Sequence, residues 1–323
     1  MLASNDSTFS QLYWGLTGRT GSFRCTAYSD EGFLTRGYAT TSFNPASQRA
    51  WQHSAAATSS PDQSDSALRR EAELAASAPS KTKSDGTIGI RWYKHVGVEE
   101  TEDSTFHVTL DGKRLPSPAR RPLVLPTKEL ALAIAAEWEW QDKKSIRPFT
   151  MPLMKLASTA TDLVPLQRNA IVDNLMKYFR TSDAVCVRDP GEGRLKRKQA
   201  EIWDPLLDWM QQELGVRPVT SGSIFGAEQP PEVVRTVQEL LHRKSDFRLA
   251  AVDALASSAH SLVIALAVSR GHLGPRKALE AVRVEEDHQM EEWGLVEGGH
   301  DLDIADTKVR IAAPSLFLRL LDE

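Results

Sequence analysis

From Thr127 onward the chain carries helix signals in close succession, and this constrains its fold more than any other feature. Thr127 suits an N-cap, and the apolar residues that come after it recur at helical spacing. Prolines that suit a first helical turn begin further segments at Pro152, Pro165, Pro231 and Pro275. We therefore predict a larger, mostly helical domain over residues 127–323.

Two of these helices are predicted to be long. Ser245 caps a helix that ends at Gly271, and Pro275 begins a single helix that runs to about Trp293. The other elements expected here are a strand at Ala184–Arg188, a helix at about Leu195–Leu214 with a kink at Pro205, and a last helix at about Asp301–Leu321 that Pro314 breaks.

Residues 87–126 alternate apolar and polar side chains, which is the pattern of half-buried strands. The alternation covers Ile88–Trp92 and Phe106–Leu110, Asp111-Gly112 then supplies a turn, and Leu123–Leu125 forms a further short strand. About 40 residues are too few for a stable unit, so this one should pack against the helical domain. The predicted class is α+β, with a small N-terminal antiparallel β domain before the helical domain.

The first 86 residues differ in composition from the rest and show no sustained hydrophobic period. Up to Ser60 every basic residue is an arginine, serines are frequent and acids are few, which is typical of a targeting segment. Arg36-Gly37-Tyr38-Ala39 resembles the site cut by the mitochondrial processing peptidase. We predict a mitochondrial transit peptide over residues 1–38 and a disordered leader over 39–86. The alternatives are chloroplast import and a disordered tail without an address.

Composition and missing motifs exclude several kinds of function. A net charge of −4 argues against nucleic-acid binding, and two cysteines cannot make a disulfide scaffold or a four-cysteine zinc site. The GxxxxGK[ST], GxSxG and HExxH motifs do not occur. Leu249–Val268, the most apolar segment, contains Asp253 and His260, so it indicates a buried helix and no membrane span. We expect no cofactor and no metal site, since a di-iron bundle would need a second pair like Glu285-x-x-His288.

The predicted helix that begins at Pro275 carries a carboxylate on its apolar face. Glu286 lies at the centre of the arc that the apolar side chains occupy, and Gln289 lies at its edge. A carboxylate there is costly unless it is paired or hydrated. Two interpretations stay open: a buried pair with Arg248 or Arg270, or an interface that uses Glu286 directly. The apolar residues of this face are Leu279, Val282, Met290 and Trp293.

Two further features favour a binding surface. Residues 285–303 contain eight acidic residues and no Lys or Arg, which suits a basic partner, although such patches also serve solubility alone. Trp138 lies on the apolar face of its helix and should be core, whereas Trp140 points about 160° away at roughly 100° per residue. Either the β unit covers Trp140, which packing alone favours, or Trp140 is a contact for a partner.

Seven sequence blocks occur in order along the chain: RWYKHVGV, LDGKRLPSP, LVLPTKELALAIAAEWEWQ, MPLMKLASTATD, WDPLLDW, SLVIALAVSRG and EEDHQMEEWGLVEGGHD. No block is a catalytic motif, but their joint order is specific. From Arg91 to Asp303 the chain thereby resembles the mitochondrial ATP synthase F(1) complex assembly factor 2 family. The acidic pattern of that family matches this chain at Glu286, Gln289, Trp293, Gly294, Glu297, His300 and Asp301.

The resemblance implies an assembly chaperone of the mitochondrial matrix, without enzymatic activity, that binds free ATP synthase α subunit and prevents its aggregation until the β subunit joins. We expect a monomer when free. The rival interpretations are a helical enzyme that uses Glu286 as acid or base, and a stable structural subunit of a complex. The candidate partner-binding residues are Glu286, Gln289, Trp293, Glu297, Asp301 and Trp140.

Overall fold

The computed structural model describes residues 87–321 except Ile224 and Glu297. Within that range a small antiparallel sheet of order β1-β2-β3 precedes ten α-helices, so the predicted α+β class is confirmed. The strands are β1 (Val96–Glu100), β2 (Phe106–Leu110) and β3 (Lys113–Arg114). The helices are α1 (Lys128–Glu139), α2 (Pro152–Asp162), α3 (Val164–Phe179), α4 (Arg194–Leu214), α5 (Pro231–His242), α6 (Asp246–Ala259), α7 (Leu262–Ser269), α8 (Pro275–Val282), α9 (Val284–Trp293) and α10 (His300–Arg319).

The sheet forms where the turn was predicted, but its first strand begins later than expected. Asp111 adopts a left-handed φ of 49° at the β2–β3 turn, and its carboxylate accepts the backbone N–H groups of Lys94 and His95. The prediction of a strand at Ile88–Trp92 is wrong, because only Gly89 of that segment pairs, in an isolated bridge with Ile146. Alternation was a poor guide there, since the large apolar side chains of Ile90 and Trp92 face solvent.

The predicted strand at Leu123–Leu125 is also reduced to a single bridge, between Phe106 and Leu125. Leu123 and Leu125 are nevertheless fully buried. Helix α1 packs across β1 and β2, so the sheet and this helix share one core. The division into a β domain and a helical domain at residue 126 stays a prediction.

The helical core surrounds α6, which packs against α2, α3, α7 and α10. Every residue of α7 is buried, so this helix is apolar on all sides. The predicted starts hold where the signal is local: the Thr127 hydroxyl accepts the backbone N–H of Leu130, and Pro152 and Pro231 occupy first helical positions. None of the helices in the described range is long and apolar enough to cross a membrane.

The prediction of one helix from Ser245 to Gly271 is wrong, because the chain breaks at His260 and Ser261. His260 adopts a left-handed φ of 50°, and the Ser261 hydroxyl donates to the carboxylate of Asp183 at 2.6 Å. The same buried carboxylate accepts the backbone N–H of Leu262 at 2.7 Å. Burial raises the pKa of Asp183, and these hydrogen bonds oppose that shift. A distant carboxylate therefore caps α7 and ends α6.

Three smaller predictions concern the segment Ala184–Arg188, two prolines inside helices and the N-terminal 86 residues. The expected strand at Ala184–Arg188 is wrong, because the chain forms a 3₁₀ turn over Ala184–Cys186 with one parallel bridge between Val187 and Ser221. The predicted break at Pro314 is wrong, because Pro314 lies inside the continuous helix α10, and Pro205 likewise lies inside the continuous helix α4. The transit peptide predicted over residues 1–38 and the leader over 39–86 lie outside the described residues.

Candidate partner-binding surface

The segment from Pro275 to Trp293 forms two helices, not the single helix that was predicted. The chain leaves helical geometry at Arg283, with φ −100° and ψ 9°, which ends α8 and precedes α9. The prediction that Leu279, Val282, Met290 and Trp293 share one face of a continuous helix is therefore wrong. Its consequence for Glu286 is wrong as well: the carboxylate does not interrupt a buried stripe, and its side chain is 55% exposed.

Arg283 is a buried cation held by three carboxylates. Its side chain is 5% exposed, and its Nη1 atom lies 2.6 Å from Glu286 and 3.1 Å from Asp303. Its Nε atom donates to Asp287 at 3.1 Å. Glu286 and Asp287 belong to the first turn of α9, and Asp303 belongs to the first turn of α10. One guanidinium therefore ties together the N-terminal turns of two helices and satisfies its own charge.

The structure decides which arginine Glu286 contacts. Neither of the arginines proposed from the sequence, Arg248 or Arg270, is its partner in the observed ion pair; the partner is Arg283. The sequence spacing indicates the pairing with Arg283, because residues three and four positions apart lie on the same side of a helix. Glu286 and Asp287 come three and four positions after Arg283, and the predicted stripe obscured that pairing.

A second group of cations reaches the acidic segment from α4. Lys198 and Arg194 lie 2.6 Å and 3.0 Å from the carboxylate of Glu291. The hydrogen bond from Lys198 is the main reason that the pKa of Glu291 is lowered. Glu285 accepts a hydrogen bond from the Gln199 amide at 2.8 Å. The segment is thus less negative than its sequence implies, because α4 supplies two cations from far along the chain.

Exposed apolar side chains accompany these carboxylates. We define the acidic surface as residues 284–303, which comprise α9, the connection after it and the first turn of α10. Trp293 is 81% exposed at the end of α9, and Leu295, Val296 and Leu302 are exposed beyond it. Gln289 and Asp301 are exposed too, while Glu297 lies outside the described residues. The structure therefore brings four of the predicted contacts, Glu286, Gln289, Trp293 and Asp301, into one short segment.

Trp138 and Trp140 have opposite surroundings, as their helical spacing predicted. Trp138 is buried, its ring packs edge-on against those of Trp92 and Tyr93, and its carbonyl accepts the Tyr93 hydroxyl at 2.7 Å. Trp140 is 88% exposed at the C-terminal end of α1, so the expectation that the β unit covers it is wrong. Helix α1 packs against the sheet and α2, whereas α9 packs against α4 and α8. Trp140 therefore belongs to a different surface from the other candidates.

Two interior carboxyl groups with raised pKa values, Glu137 and Asp183, have structural partners. Glu137 accepts the backbone N–H groups of Leu153 and Met154, both at 2.8 Å, at the start of α2. Asp183 does the same at the start of α7. Among the described residues, no group of three or more His, Cys, Asp or Glu side chains could hold a metal ion. On the acidic surface, exposed apolar side chains lie beside carboxylates held by ion pairs.

Comparison with known proteins decides the family. Residues 90–211 match the family model described as ATP12 chaperone protein. The crystal structure of Atp12 from Paracoccus denitrificans is 31% identical, with a TM-score of 0.67, over 72% of this chain and 98% of that one. The chain belongs to the ATP12 chaperone family. The resemblance to the assembly factor 2 family is thereby confirmed, and so is its assignment as a chaperone.

Curated relatives of the ATP12 family extend the match beyond the residues of the family model. The mitochondrial protein atp12 of Schizosaccharomyces pombe is 26% identical over 72% of this chain and 83% of its own length. The mitochondrial protein ATP12 of Saccharomyces cerevisiae is 20% identical over 72% of this chain and 85% of its own length. Both names place those relatives in mitochondria.

Proposed function

We propose that this ATP12-family chaperone binds the free α subunit of the mitochondrial ATP synthase catalytic sector and keeps it from aggregating until the β subunit joins. An unassembled subunit exposes the surface destined for its neighbour, and such surfaces associate with themselves. A chaperone that covers this surface and leaves by competition needs no chemical step. The observation that carries the proposal is the acidic surface, where exposed apolar side chains lie beside carboxylates fixed by Arg283.

The roles within the acidic surface are assigned from its contacts. Trp293 supplies an exposed aromatic side chain, a residue type that is enriched at interface hot spots. Glu286, Asp301 and Glu297 supply negative charge, and Gln289 a neutral hydrogen-bonding group. Arg283 holds the carboxylate of Glu286 in place at 2.6 Å, and the Glu286 side chain is still 55% exposed. Glu286 therefore acts as a positioned acceptor for a basic group of the α subunit.

The test is a binding curve of purified α subunit, and separately of β subunit, against the wild-type chain and two variants. Trp293→Ser removes the aromatic side chain, and Val309→Ser on α10 is the matched control, because Val309 is also exposed and lies outside the acidic surface. Trp293→Ser should weaken binding of the α subunit at an unchanged melting temperature, and Val309→Ser should leave binding unchanged. Equal loss in both variants, or tighter binding of the β subunit, would contradict the proposal.

The two rival functions make different predictions. A structural subunit would copurify at fixed stoichiometry with the assembled ATP synthase, whereas an assembly chaperone should be found with unassembled α subunit only. An enzyme that uses Glu286 would lose turnover in Glu286→Gln with no change in protein binding. Mass spectrometry of complexes captured from matrix extract distinguishes a structural subunit from an assembly chaperone. The binding curve of Glu286→Gln distinguishes an enzyme from an assembly chaperone.

We also propose that the protein works in the mitochondrial matrix after removal of its transit peptide, residues 1–38. The motif Arg36-Gly37-Tyr38 and the mitochondrial names of the relatives support this. N-terminal sequencing of the protein from isolated organelles should begin near Ala39. An intact Met1 in the organellar protein, or a protein found only in the cytosol, would contradict it.

A further inference from the structure

A second exposed surface lies at the other end of the sequence from the acidic one. Four large apolar side chains on it face solvent: Ile90 at 72%, Trp92 at 64%, Trp140 at 88% and Phe149 at 67% exposure. We call these side chains, together with the cations around them, the aromatic–basic face. The exposed cations are Lys94, Lys143, Lys144 and Arg147, whereas Arg91 is largely buried and pairs with Glu139 at 3.1 Å. Asp142 is the one acidic residue in residues 88–95 and 140–150.

Hydrogen bonds fix the segments of this face to one another. Gly89 forms an antiparallel bridge with Ile146, in which the Ile88 N–H donates to the Ile146 carbonyl at 3.0 Å and the Ile146 N–H donates to the Gly89 carbonyl at 2.8 Å. The Arg91 guanidinium donates to the carbonyl groups of Glu139 and Gln141, which flank Trp140, at 2.8 Å and 3.1 Å. The aromatic side chains therefore project from a connected backbone.

The turn that carries Phe149 is fixed to the same network. The buried Gln141 side chain accepts the backbone N–H of Arg147 at 2.7 Å and donates to the Thr150 hydroxyl at 3.0 Å. The Gln141 side chain thus joins the end of α1, where Trp140 lies, to the turn that carries Arg147 and Phe149. Because the backbone of this arrangement is already held, a partner that binds here has little backbone entropy to remove.

The charge around the apolar side chains distinguishes this face from the acidic surface. Each apolar side chain is about two-thirds exposed or more, and the exposed charges beside them are mostly positive. Lipid headgroups enclose projecting side chains without matching their shape, and Trp is enriched at membrane interfaces. Four exposed cations against the exposed carboxylates of Asp142 and Glu139 add attraction to negatively charged lipid. We propose that the aromatic–basic face binds the surface of an anionic phospholipid membrane, without crossing it, and leaves the acidic surface available to the client.

The test is sedimentation of the full chain with vesicles of phosphatidylcholine alone and of phosphatidylcholine mixed with phosphatidylglycerol. Each Lys or Arg near an anionic surface strengthens binding about fivefold, so Lys143→Glu/Lys144→Glu should weaken binding to the mixed vesicles at least roughly thirtyfold. The matched control is Arg276→Glu/Lys277→Glu, a neighbouring pair of exposed cations at the start of α8, which should bind almost as the wild-type chain does. Trp140→Ser/Phe149→Ser should also weaken binding, and added salt should reduce it for the wild-type chain.

Three outcomes would overturn the proposal. If the wild-type chain does not sediment with the mixed vesicles, the face does not bind an anionic membrane. If the α8 control loses as much binding as the Lys143 and Lys144 variant, the attraction belongs to the whole chain. If Trp140→Ser/Phe149→Ser lowers the melting temperature, another segment of this chain covers the face. Binding of the α subunit by Lys143→Glu/Lys144→Glu should be unchanged, which keeps this test separate from that of the proposed function.

Discussion

Replacing Arg283 with methionine tests how the acidic surface is held together. The change keeps a long, unbranched side chain and removes the cation that Glu286, Asp287 and Asp303 share at 2.6–3.1 Å. Breaking a buried ion pair by removing one partner costs about 3–5 kcal/mol when the remaining charge stays buried. Exposed pairs contribute only about 0–1 kcal/mol.

Arg283→Met should fall between these limits. The cation itself is buried, but the three carboxylates are each about half exposed and become hydrated when it is lost. We expect a loss of about 2–3 kcal/mol in the free energy of unfolding, from those two limits. For a domain of this size that lowers the melting temperature by about 5–10 °C. Glu286→Gln should cost less than about 1 kcal/mol, because Arg283 keeps two carboxylates.

The assay is calorimetry together with urea unfolding of wild type, Arg283→Met, Arg283→Lys and Glu286→Gln. Lysine keeps the charge but has no planar fork for three acceptors, so Arg283→Lys should fall between wild type and Arg283→Met. An unchanged melting temperature for Arg283→Met would refute the shared-cation arrangement. A Glu286→Gln variant as unstable as Arg283→Met would show that a single pair carries the stability.

Three further predictions concern the stability of the fold. Trp138→Ala should destabilise by about 3–5 kcal/mol, because it empties a packed aromatic core; urea unfolding measures this, and an unchanged transition would show the ring to be dispensable. Burial raises the pKa of Glu137 from 4.5 to about 7, so the folded chain binds its proton more tightly than the unfolded chain does. The free energy of unfolding should therefore fall as the pH rises from 4.5 to about 7, and Glu137→Gln should flatten that slope; an identical slope would contradict the shift. His260→Gly should raise the free energy of unfolding by about 0.5–1 kcal/mol, because glycine adopts the left-handed conformation without strain; a lower melting temperature would show that the imidazole makes a stabilising contact.

Local signals predicted the helix starts well. Thr127, Pro152 and Pro231 act within one turn of themselves, so the sequence near them carries the information. The break at His260 could not be predicted in this way. It depends on Asp183, which lies 78 residues before Ser261 in the chain and caps α7 through space. A helix that is apolar on all sides gives no period that would reveal such a break.

The candidate site shows the same limit. Trp293 and Asp301 were expected at a surface and are exposed. The neutralisation of Glu291 depends on Lys198, 93 residues away, and no local pattern indicates it. The ion pair between Arg283 and Glu286 could have been predicted from their spacing of three residues. The prediction of one continuous helix from Pro275 led to a different interpretation of Glu286. Exposure at Ile90 and Trp92 contradicted an alternation that ordinarily predicts a strand.

The central claim, that this chaperone protects free α subunit, is tested most directly by light scattering of purified α subunit at a temperature where it aggregates alone. With an equimolar amount of the chaperone, scattering should stay at its baseline, and addition of β subunit should release the chaperone into the free pool. Trp293→Ser should restore scattering, while Val309→Ser should not. If α subunit aggregates equally fast with and without the wild-type chaperone, the account is contradicted.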